Sequence, residues 1–181
     1  GEGAGKSTQA KRLARHLESR GLSVLVTREP GGSPGAEIIR HVILSGAAEP
    51  FGPDAEAMLF AAARRDHLRA TILPALARGD WVICDRFADS TRVYQGVAGK
   101  VDQSFILALE RITVGEDRPD LTLILDLPAK VGLARAASRG EGADRFEKEA
   151  LAYHNKLRQG FRALAKSEPD RCRLIDASVD E

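Results

Sequence analysis

The 181-residue sequence is short of cysteine, of excess positive charge and of long apolar runs, and each shortage argues against a class of protein. Its two cysteines, Cys84 and Cys172, lie within apolar strand-like runs, which predicts small buried residues rather than a disulfide or a metal pair. No apolar run approaches the roughly 20 residues that a membrane-spanning helix needs. Lys and Arg total 27 against 26 Asp and Glu, and this net charge of +1 argues against nonspecific binding of nucleic acid. We therefore expect a cytoplasmic protein that binds neither membranes nor nucleic acids.

The sequence also lacks the residue patterns of two common kinds of catalytic site. No Ser/His/Asp or Cys/His set for nucleophilic catalysis can be assembled from it. The four histidines have no metal-ligand spacing, and we interpret them as ordinary surface or helix residues: His16, His41, His67 and His154.

A glycine-rich phosphate-binding loop stands at the start of the sequence. The run Gly1-Glu2-Gly3-Ala4-Gly5-Lys6-Ser7-Thr8 matches the P-loop pattern G-x-x-x-x-G-K-[ST] in all but its first glycine, which would fall one position before Gly1. The glycines let backbone N–H groups form an anion nest, and a helix beginning near Lys6 adds its positive dipole end. Lys6 can reach the β- and γ-phosphates of ATP, and Ser7 can ligate Mg²⁺. A plain glycine turn is the disfavoured alternative, because an amphipathic helix follows at once.

Short apolar strands alternate with amphipathic helices along the chain. This order predicts one α/β domain over residues 1–181, with a parallel five-stranded sheet flanked by helices. The predicted strands are 22–27, 81–84, 121–127 and 173–176, and the strand at 81–84 is expected to be buried. The predicted helices are 7–20, 36–45, 54–77, 104–114, 129–138 and one that ends near 165, and a loop and helix carry 90–95. Gly21 is expected to end the first of these helices, and Asp54 to be the N-cap of the third.

The fifth, central strand would lead into the P-loop, so we expect the chain to be a fragment truncated at both ends. The strand at 81–85 and the strand at 121–127 would then lie on either side of a gap and would not be hydrogen-bonded to each other. A further helix is expected after residue 181.

The long helix predicted at 54–77 carries a polar face. Its core stripe is predicted to consist of Met58, Ala61, Ala62, Leu68 and Ile72, with Arg65 among them. The other side carries Phe60, Arg64, His67 and Thr71. An aromatic ring and an arginine there could stack on a base and bind its edge or a phosphate, or Phe60 could pack on a neighbouring element. The helix alone leaves both interpretations open.

Two further segments suggest phosphate chemistry. Asp85 and Arg86 end a hydrophobic strand, where a P-loop enzyme keeps an acid near Mg²⁺ and where an arginine can clamp a second phosphate. The charged segment 139–147 contains glycines that permit hinging, so its arginines Arg139 and Arg145 could close over the phosphates as a lid. A solvated loop is the alternative for this segment.

Together these motifs resemble the thymidylate kinases, of the bacterial type with lid arginines, over essentially the whole chain. The matching runs are Glu2-Gly3-Ala4-Gly5-Lys6-Ser7-Thr8-Gln9, Thr27-Arg28-Glu29-Pro30-Gly31-Gly32, Met58-Leu59-Phe60-Ala61-Ala62-Ala63-Arg64, Asp85-Arg86-Phe87-Ala88-Asp89-Ser90-Thr91, Tyr94-Gln95-Gly96, Arg139-Gly140-Glu141, Asp144-Arg145-Phe146-Glu147 and Ile175-Asp176-Ala177-Ser178. The resemblance implies the P-loop nucleoside monophosphate kinase fold, the reaction ATP + dTMP → ADP + dTDP with Mg²⁺, and a homodimer.

The resemblance also implies roles for individual residues. The P-loop, Gly1 to Thr8, would bind ATP, with Ser7 and Asp85 at the metal. The acceptor would be held by Glu2 near the 3′-hydroxyl, Phe60 stacked on thymine, Arg64 and Thr91 at the base, Arg86 on the phosphate, Tyr94 against the ribose 2′ position and Gln95 lining the pocket. The catalytic cations would be Lys6, Arg86, Arg145 and Arg139. One branch of the family keeps a catalytic arginine in the P-loop, but Glu2, Gly3 and Ala4 occupy those positions here, so the lid must supply it.

Three alternatives stay open at this point. Another P-loop nucleoside or nucleotide kinase would use a different acceptor. A regulatory or structural protein would bind a nucleotide without transferring phosphate, although the presence of Lys6, Ser7 and Asp85 argues against a decayed site. The fragment itself could be inactive for lack of its central strand.

Overall fold

The structure is a computed structural model, which describes residues 1–138, 146 and 149–178. The helices are α1 (Lys6–Ser19), α2 (Pro34–Leu44), α3 (Gly52–His67), α4 (Leu73–Ala77), α5 (Ala88–Thr91), α6 (Gln103–Thr113), α7 (Ala129–Ala137) and α8 (Leu151–Ser167). The strands are β1 (Val24–Arg28), β2 (Trp81–Asp85), β3 (Thr122–Asp126) and β4 (Cys172–Asp176). A 3₁₀ turn covers Glu49–Phe51, and π-helical segments cover Leu68–Ile72 and Arg92–Ala98. Within these ranges no helix combines the length and the apolar character needed to cross a membrane.

The strands form two parallel pairs. β1 pairs with β2 so that Arg28 lies opposite Asp85, and β3 pairs with β4 so that Asp126 lies opposite Asp176. The α/β class with parallel strands is therefore confirmed. β2 and β3 belong to different two-stranded sheets and are not hydrogen-bonded to each other, as expected from the sequence. Because β1 and β2 run in the same direction, the loops that follow them begin at the same edge, which is where ligands of such sheets bind.

Helix α1 forms where the sequence predicts it. It follows Gly5, whose φ of 81° lies in the left-handed region, and it ends at a turn in which the Gly21 N–H donates to the Glu18 carbonyl at 2.9 Å. Gly21 has a φ of 83°, a conformation that only glycine adopts readily, so it terminates the helix as predicted.

The burial of strand β2 differs from the prediction. Trp81 is 53% exposed and the rest of the strand is half-buried, so the prediction of a buried strand at 81–84 is wrong. Trp81 begins the strand, ahead of the part that the surrounding helices cover. Cys84 is half-buried and Cys172 buried, and both are free thiols.

The long predicted helix is divided into three segments. α3 begins at Gly52, and Asp54 lies in its first turn without capping it, so the predicted N-cap is wrong. A carboxylate in the first turn still complements the helix dipole. The helix passes through the π-helical segment Leu68–Ile72 into α4, which has Pro74 near its start. Proline has no N–H to donate, which disturbs the regular hydrogen-bond ladder at this point.

The buried face of α3 is rotated from the predicted stripe. Ala61, Leu68 and Ile72 are buried as predicted, but Met58 is 47% exposed, and Ala62 and Arg65 are also exposed. Arg64 and His67, on the predicted polar face, are buried instead. The helix turns this face inward because both side chains find polar partners there, which removes the usual cost of burying them.

Two clusters of apolar side chains enclose the segment that runs from α5 into the π-helix. One consists of Ile43, Val93, Tyr94, Phe146 and Leu157. The other consists of Leu68, Ile72, Phe87, Ala88 and Val114. Ion pairs fix the same segment from the outside, because Arg171 donates to both carboxylate oxygens of Asp89, and Arg92 donates to Glu110. The segment is therefore held rigidly on several sides.

Candidate active site

The P-loop lies against helix α7 at a point of close backbone contact. A Cβ atom on Gly3 would lie 2.0 Å from the carbonyl oxygen of Gly132, and one on Gly132 would lie 2.2 Å from the carbonyl oxygen of Glu2. Only glycine fits on either side of this contact. Lys6 folds back across the loop, where its Nζ donates to the Gly1 carbonyl at 2.8 Å. The lysine ammonium group is thus held beside the backbone of the loop in which a phosphate would bind.

The serine of the P-loop contacts the acid at the end of β2. Ser7 Oγ donates to Asp85 Oδ2 at 2.6 Å, although the two residues are 78 positions apart in the sequence. The second oxygen, Asp85 Oδ1, is buried and finds no hydrogen-bond partner among the described residues. A buried carboxylate oxygen without a partner is costly, which indicates a position where a ligand would bind.

Glu2, Arg86 and Tyr94 form a cluster next to the P-loop. Glu2 Oε1 accepts from Arg86 Nη2 at 2.5 Å and from the Tyr94 hydroxyl at 2.9 Å, and the Arg86 guanidinium lies 5.1 Å from the centre of the Tyr94 ring. Arg86 has a φ of 69°, a left-handed conformation that costs a non-glycine residue about 1–2 kcal/mol. Such backbone strain is concentrated at functional sites.

The cluster keeps its charges at neutral pH. Burial raises the pKa of Glu2, but the positive charges of Arg86 and Lys6, together with the Tyr94 hydrogen bond, outweigh burial and lower that pKa to about 2. The pKa of Arg86 is raised, because its interactions with Tyr94 and Glu2 outweigh the effect of burial. Burial likewise raises the pKa of the Tyr94 phenol. Glu2 is therefore an anion, Arg86 a cation and Tyr94 a hydrogen-bond donor.

Arg64 occupies a second polar cluster nearby. Its Nε donates to Glu29 Oε2 at 2.8 Å and its Nη2 donates to Thr91 Oγ1 at 3.1 Å, while its guanidinium lies 5.3 Å from the centre of the Phe87 ring. The predicted residues Arg64 and Thr91 are therefore brought together. Phe60 packs against the apolar cluster that contains Tyr94, and Gln95 is buried on the same segment as Thr91 and Tyr94.

The structure thus places the predicted residues in two adjoining groups. One group consists of three P-loop residues and two residues beside the loop: Glu2, Lys6, Ser7, Asp85 and Arg86. Thr8, also in the P-loop, faces outward on α1. The residues predicted at the base lie along α3 and the segment Ala88–Ala98, which carries Tyr94 between the two groups. The predicted lid arginines, Arg139 and Arg145, lie outside the described residues.

Several side chains in the site were not predicted. His67 and His154 lie on helices, as interpreted, but they are buried and not on the surface, whereas His16 and His41 are exposed. His67 contacts Glu29, a residue to which the sequence analysis gave no role in the site. The available signal was its helical spacing, which set His67 three positions after Arg64 on the same face. Phe146 meets the Tyr94 ring edge to face at 5.5 Å.

A P-loop with Arg86 beside it and a second polar cluster around Arg64 is the arrangement expected of an enzyme that moves a phosphoryl group between two nucleotides. The fold and the site therefore define a P-loop nucleotide kinase. The sequence model described as thymidylate kinase matches residues 1–181, and the chain belongs to the thymidylate kinase family.

Individual relatives agree with the family match. The chain is 60% identical to thymidylate kinase of Nitrobacter winogradskyi, over 99% of this chain and 79% of that protein. It is also 60% identical to thymidylate kinase of a Bradyrhizobium strain, BTAi1, over 99% of this chain and 80% of the relative. A crystal structure of thymidylate kinase from Ehrlichia chaffeensis superposes with a TM-score of 0.78 at 33% identity, covering 97% of this chain and 87% of that one. The fold is therefore that of the P-loop nucleoside monophosphate kinases.

Proposed function

We propose that this chain performs the reaction of its family at the site formed by the P-loop, β2, α3 and the segment Ala88–Ala98. The reaction is the transfer of the γ-phosphoryl group of ATP to dTMP, which gives ADP and dTDP. One observation supports the assignment to this site: Arg86 lies beside the P-loop, where it pairs with Glu2, and Arg64 lies in the adjoining polar cluster with Glu29 and Thr91. A P-loop by itself binds one nucleotide, whereas a kinase also needs a place for the acceptor.

The P-loop residues, Gly1 to Thr8, are proposed to hold ATP. Phosphoryl transfer depends mainly on positioning and on charge stabilisation, because little covalent chemistry is required of the protein. Lys6 lies over the loop, where its ammonium group would contact the transferring phosphate. No general base is needed, since the acceptor is already a phosphate anion.

Arg86 is proposed to bind the phosphate of dTMP. In the structure its guanidinium is paired with the Glu2 carboxylate, which stands in for an anion at this position. A guanidinium can bind a phosphate through two parallel hydrogen bonds, so the acceptor would compete with Glu2 for the same donors. Glu2 would then be available to the sugar 3′-hydroxyl of the bound nucleotide.

Arg64, Thr91, Phe60 and Gln95 are proposed to bind the thymine base. Glu29 and Thr91 each use a donor of Arg64, which fixes the plane of its guanidinium. A fixed donor at the base edge favours a base with a matching acceptor, because a mismatched base would leave buried polar groups unpaired. Phe60 would supply the stacking surface.

Arg139 and Arg145 are proposed as lid arginines that stabilise the transferring phosphoryl group. The P-loop carries Glu2, Gly3 and Ala4 where an arginine would otherwise stand, which leaves the charge to be supplied from elsewhere. Phe146 follows Arg145 directly and packs on Tyr94, so it joins this segment to the acceptor pocket.

The donor set of Ser7 and Asp85 fits a magnesium ion, which would neutralise charge on the ATP phosphates when bound. Both groups offer oxygen ligands, and Asp85 Oδ1 is buried without a hydrogen-bond partner in the described part of the chain. Magnesium sites in kinases commonly use one or two protein ligands together with substrate phosphates. Ser7 and Asp85 are proposed to hold this ion.

Replacing Asp85 by asparagine tests the metal proposal. The change keeps the shape of the side chain but removes its charge, and we expect the Mg²⁺ concentration for half-maximal rate to rise about 10- to 100-fold. The measurement is the initial rate as a function of Mg²⁺ at saturating ATP and dTMP. The control is Asp80→Asn, which lies just before β2 and pairs with Arg78. An unchanged Mg²⁺ dependence would remove Asp85 from the metal site.

Tyr94 is proposed to exclude ribonucleotides through contact with the 2′ position of the sugar. We expect Tyr94→Ala to raise the ratio of kcat/KM for ribo-TMP over that for dTMP by about 10-fold, because the ring that crowds a 2′-hydroxyl is lost. Tyr94→Phe, which keeps the ring and loses only the hydrogen bond to Glu2, should leave the ratio near the parent value. Equal ratios in all three proteins would show that Tyr94 has no steric role.

The chain is also proposed to form a homodimer in the cytoplasm. In support, α3 and α6 lie next to each other and expose apolar side chains, among them Met58 and Leu107. Light scattering coupled to gel filtration should give twice the mass of one chain, and a monomer at micromolar concentration would contradict this.

An acceptor panel tests the proposed function. ADP formation should be measured with dTMP, dUMP, AMP, CMP and thymidine in parallel, and dTMP should give the highest kcat/KM. A preference for another acceptor would identify a different P-loop kinase. ATP binding without acceptor-dependent ADP release would favour a nucleotide-binding protein that does not catalyse transfer.

A further inference from the structure

A chain of buried polar contacts connects Arg64 to strand β1. Arg64 Nε donates to Glu29 Oε2 at 2.8 Å, and His67 Nδ1 lies 3.2 Å from the other oxygen, Glu29 Oε1. On its far side, His67 Nε2 lies 2.7 Å from Thr27 Oγ1. Arg64 is 3% exposed, Glu29 6% and His67 0%. The chain is therefore almost entirely removed from water, where such contacts are strongest.

The contacts determine the direction of each hydrogen bond. The Glu29 carboxylate is paired with Arg64 and can only accept, so His67 Nδ1 donates to it. With the proton on Nδ1, Nε2 accepts from the Thr27 hydroxyl. Each oxygen of Glu29 thus has one cationic or N–H donor, and the carboxylate cannot rotate without losing one of them.

The loop after β1 closes over the imidazole. A Cβ atom on Gly32 would lie 2.4 Å from His67 Nε2 and 2.6 Å from Thr27 Oγ1, so only glycine permits this approach. Thr71 holds the loop in place by donating to the Gly32 carbonyl at 2.7 Å. His67 is therefore enclosed by α3, β1 and this loop. Its hydrogen bonds within the described residues go to Glu29 and Thr27, and neither of these residues belongs to the P-loop.

We propose that His67 is a positioning residue for the acceptor site, which acts through Glu29 to hold the guanidinium of Arg64 in the orientation that binds the base of dTMP. The inference rests on the proposed role of Arg64 at the base. An arginine side chain has several rotatable bonds, and its fork discriminates between bases only when its plane is fixed. Loss of the Nδ1 donor would let the Glu29 carboxylate turn and carry Arg64 with it.

Two amide substitutions separate positioning from simple packing. His67→Asn places its amide nitrogen near the position of Nδ1 and keeps the donor to Glu29. His67→Gln places its amide near Nε2 and keeps only the contact with Thr27. We expect His67→Gln to raise the KM for dTMP about 10-fold, in line with loss of one hydrogen bond to a charged group, and His67→Asn to stay close to the parent enzyme. The KM for ATP should be unchanged in both.

The second buried histidine provides a matched control. His154 is 4% exposed, lies on α8 and is not part of the proposed site. His154→Gln should lower the Tm, as removal of any buried imidazole does, without changing the KM for dTMP. The positioning role is overturned if the two His67 variants raise this KM equally, or if the KM merely follows the loss in Tm.

Two more variants complete the test. Thr27→Val keeps the shape of the side chain and removes the contact with Nε2 that His67→Asn also gives up, while the Nδ1 donor to Glu29 stays. We therefore expect the KM for dTMP to stay close to the parent value, and a rise of about 10-fold would overturn the inference even if His67→Gln failed to fold. Arg64→Lys should raise this KM by itself. If Arg64→Lys raises it and His67→Gln does not, the positioning role fails while the proposed function stands. If neither raises it, the role of Arg64 at the base is wrong as well.

Discussion

Replacing Lys6 by alanine is expected to lower kcat/KM for phosphoryl transfer by at least about 10³-fold, a loss comparable to removal of other cations that stabilise a transferring phosphoryl group. The ammonium group lies 2.8 Å from the Gly1 carbonyl, over the loop that is proposed to bind the phosphates. Since α1 packs on the fold through other residues such as Ala14, the variant should remain folded. The measurement is ADP formation with dTMP at saturating ATP, together with circular dichroism.

Lys11→Ala is the matched control for this change. Lys11 is exposed on the same helix, and its loss should leave kcat/KM within about 2-fold, as for most surface substitutions. Activity of Lys6→Ala close to that of Lys11→Ala would contradict the assignment of the P-loop.

Replacing Arg86 by alanine is expected to lower kcat/KM for dTMP by about 10²- to 10³-fold, which corresponds to about 3–4 kcal/mol. The change removes the proposed clamp on the acceptor phosphate, which lowers kcat/KM. It also leaves Glu2 buried without its main cationic partner, and breaking a buried ion pair in this way lowers the folding stability by a comparable free energy. Because Glu2 also loses stabilisation, we expect the Tm to fall. The KM for dTMP should rise more than the KM for ATP.

Arg86→Lys separates these two effects. Lysine keeps the positive charge beside Glu2 and should restore the Tm, but an ammonium group cannot form the two parallel hydrogen bonds of a guanidinium, so the KM for dTMP should stay high. Arg118→Ala, which breaks an ion pair with Glu110 at 2.8 Å elsewhere in the fold, is the control for loss of an arginine. A normal KM for dTMP in Arg86→Lys would show that Arg86 supplies only charge.

The parts of the site that lie on the P-loop could be predicted from sequence, because their chemistry is local. Gly5, Lys6 and Ser7 open α1 as expected. The contact between Ser7 and Asp85 follows from a general property of parallel sheets, whose ligands bind beyond the C-terminal ends of the strands. In these cases a short motif, or the end of a strand, is enough to determine where the side chain lies.

The parts that depend on packing between distant elements could not be predicted in the same way. Hydrophobic periodicity assigned Met58 and Ala62 to the core of α3, yet the helix buries Arg64 and His67, because Glu29 from another segment satisfies them. The periodicity of one helix cannot show that a carboxylate 35 positions away in the sequence will pair with it. Tertiary contacts override the local pattern here.

Segment boundaries show a similar limit. The alternation of strands and helices correctly predicted the parallel α/β class, since it depends on the whole chain. The π-helical segment Leu68–Ile72 was predicted as ordinary helix, and Arg92–Ala98 was predicted only in part, as a loop and helix over 90–95. The extra residue in a π-turn leaves no clear signal in the sequence. The second of these segments carries Tyr94 and Gln95, so the local geometry of the proposed acceptor site had to be seen in the structure.

The most direct test of the account is phosphorus NMR of one sample that contains the chain, Mg²⁺, ATP and an equal amount of dTMP. We predict that the γ-phosphate signal of ATP falls as the two phosphate signals of dTDP appear, with ADP formed in equal amount and almost no inorganic phosphate. Conversion should require dTMP, because the acceptor completes the site at Arg86 and Arg64. Release of inorganic phosphate without dTDP, at the same rate with and without dTMP, would contradict the account.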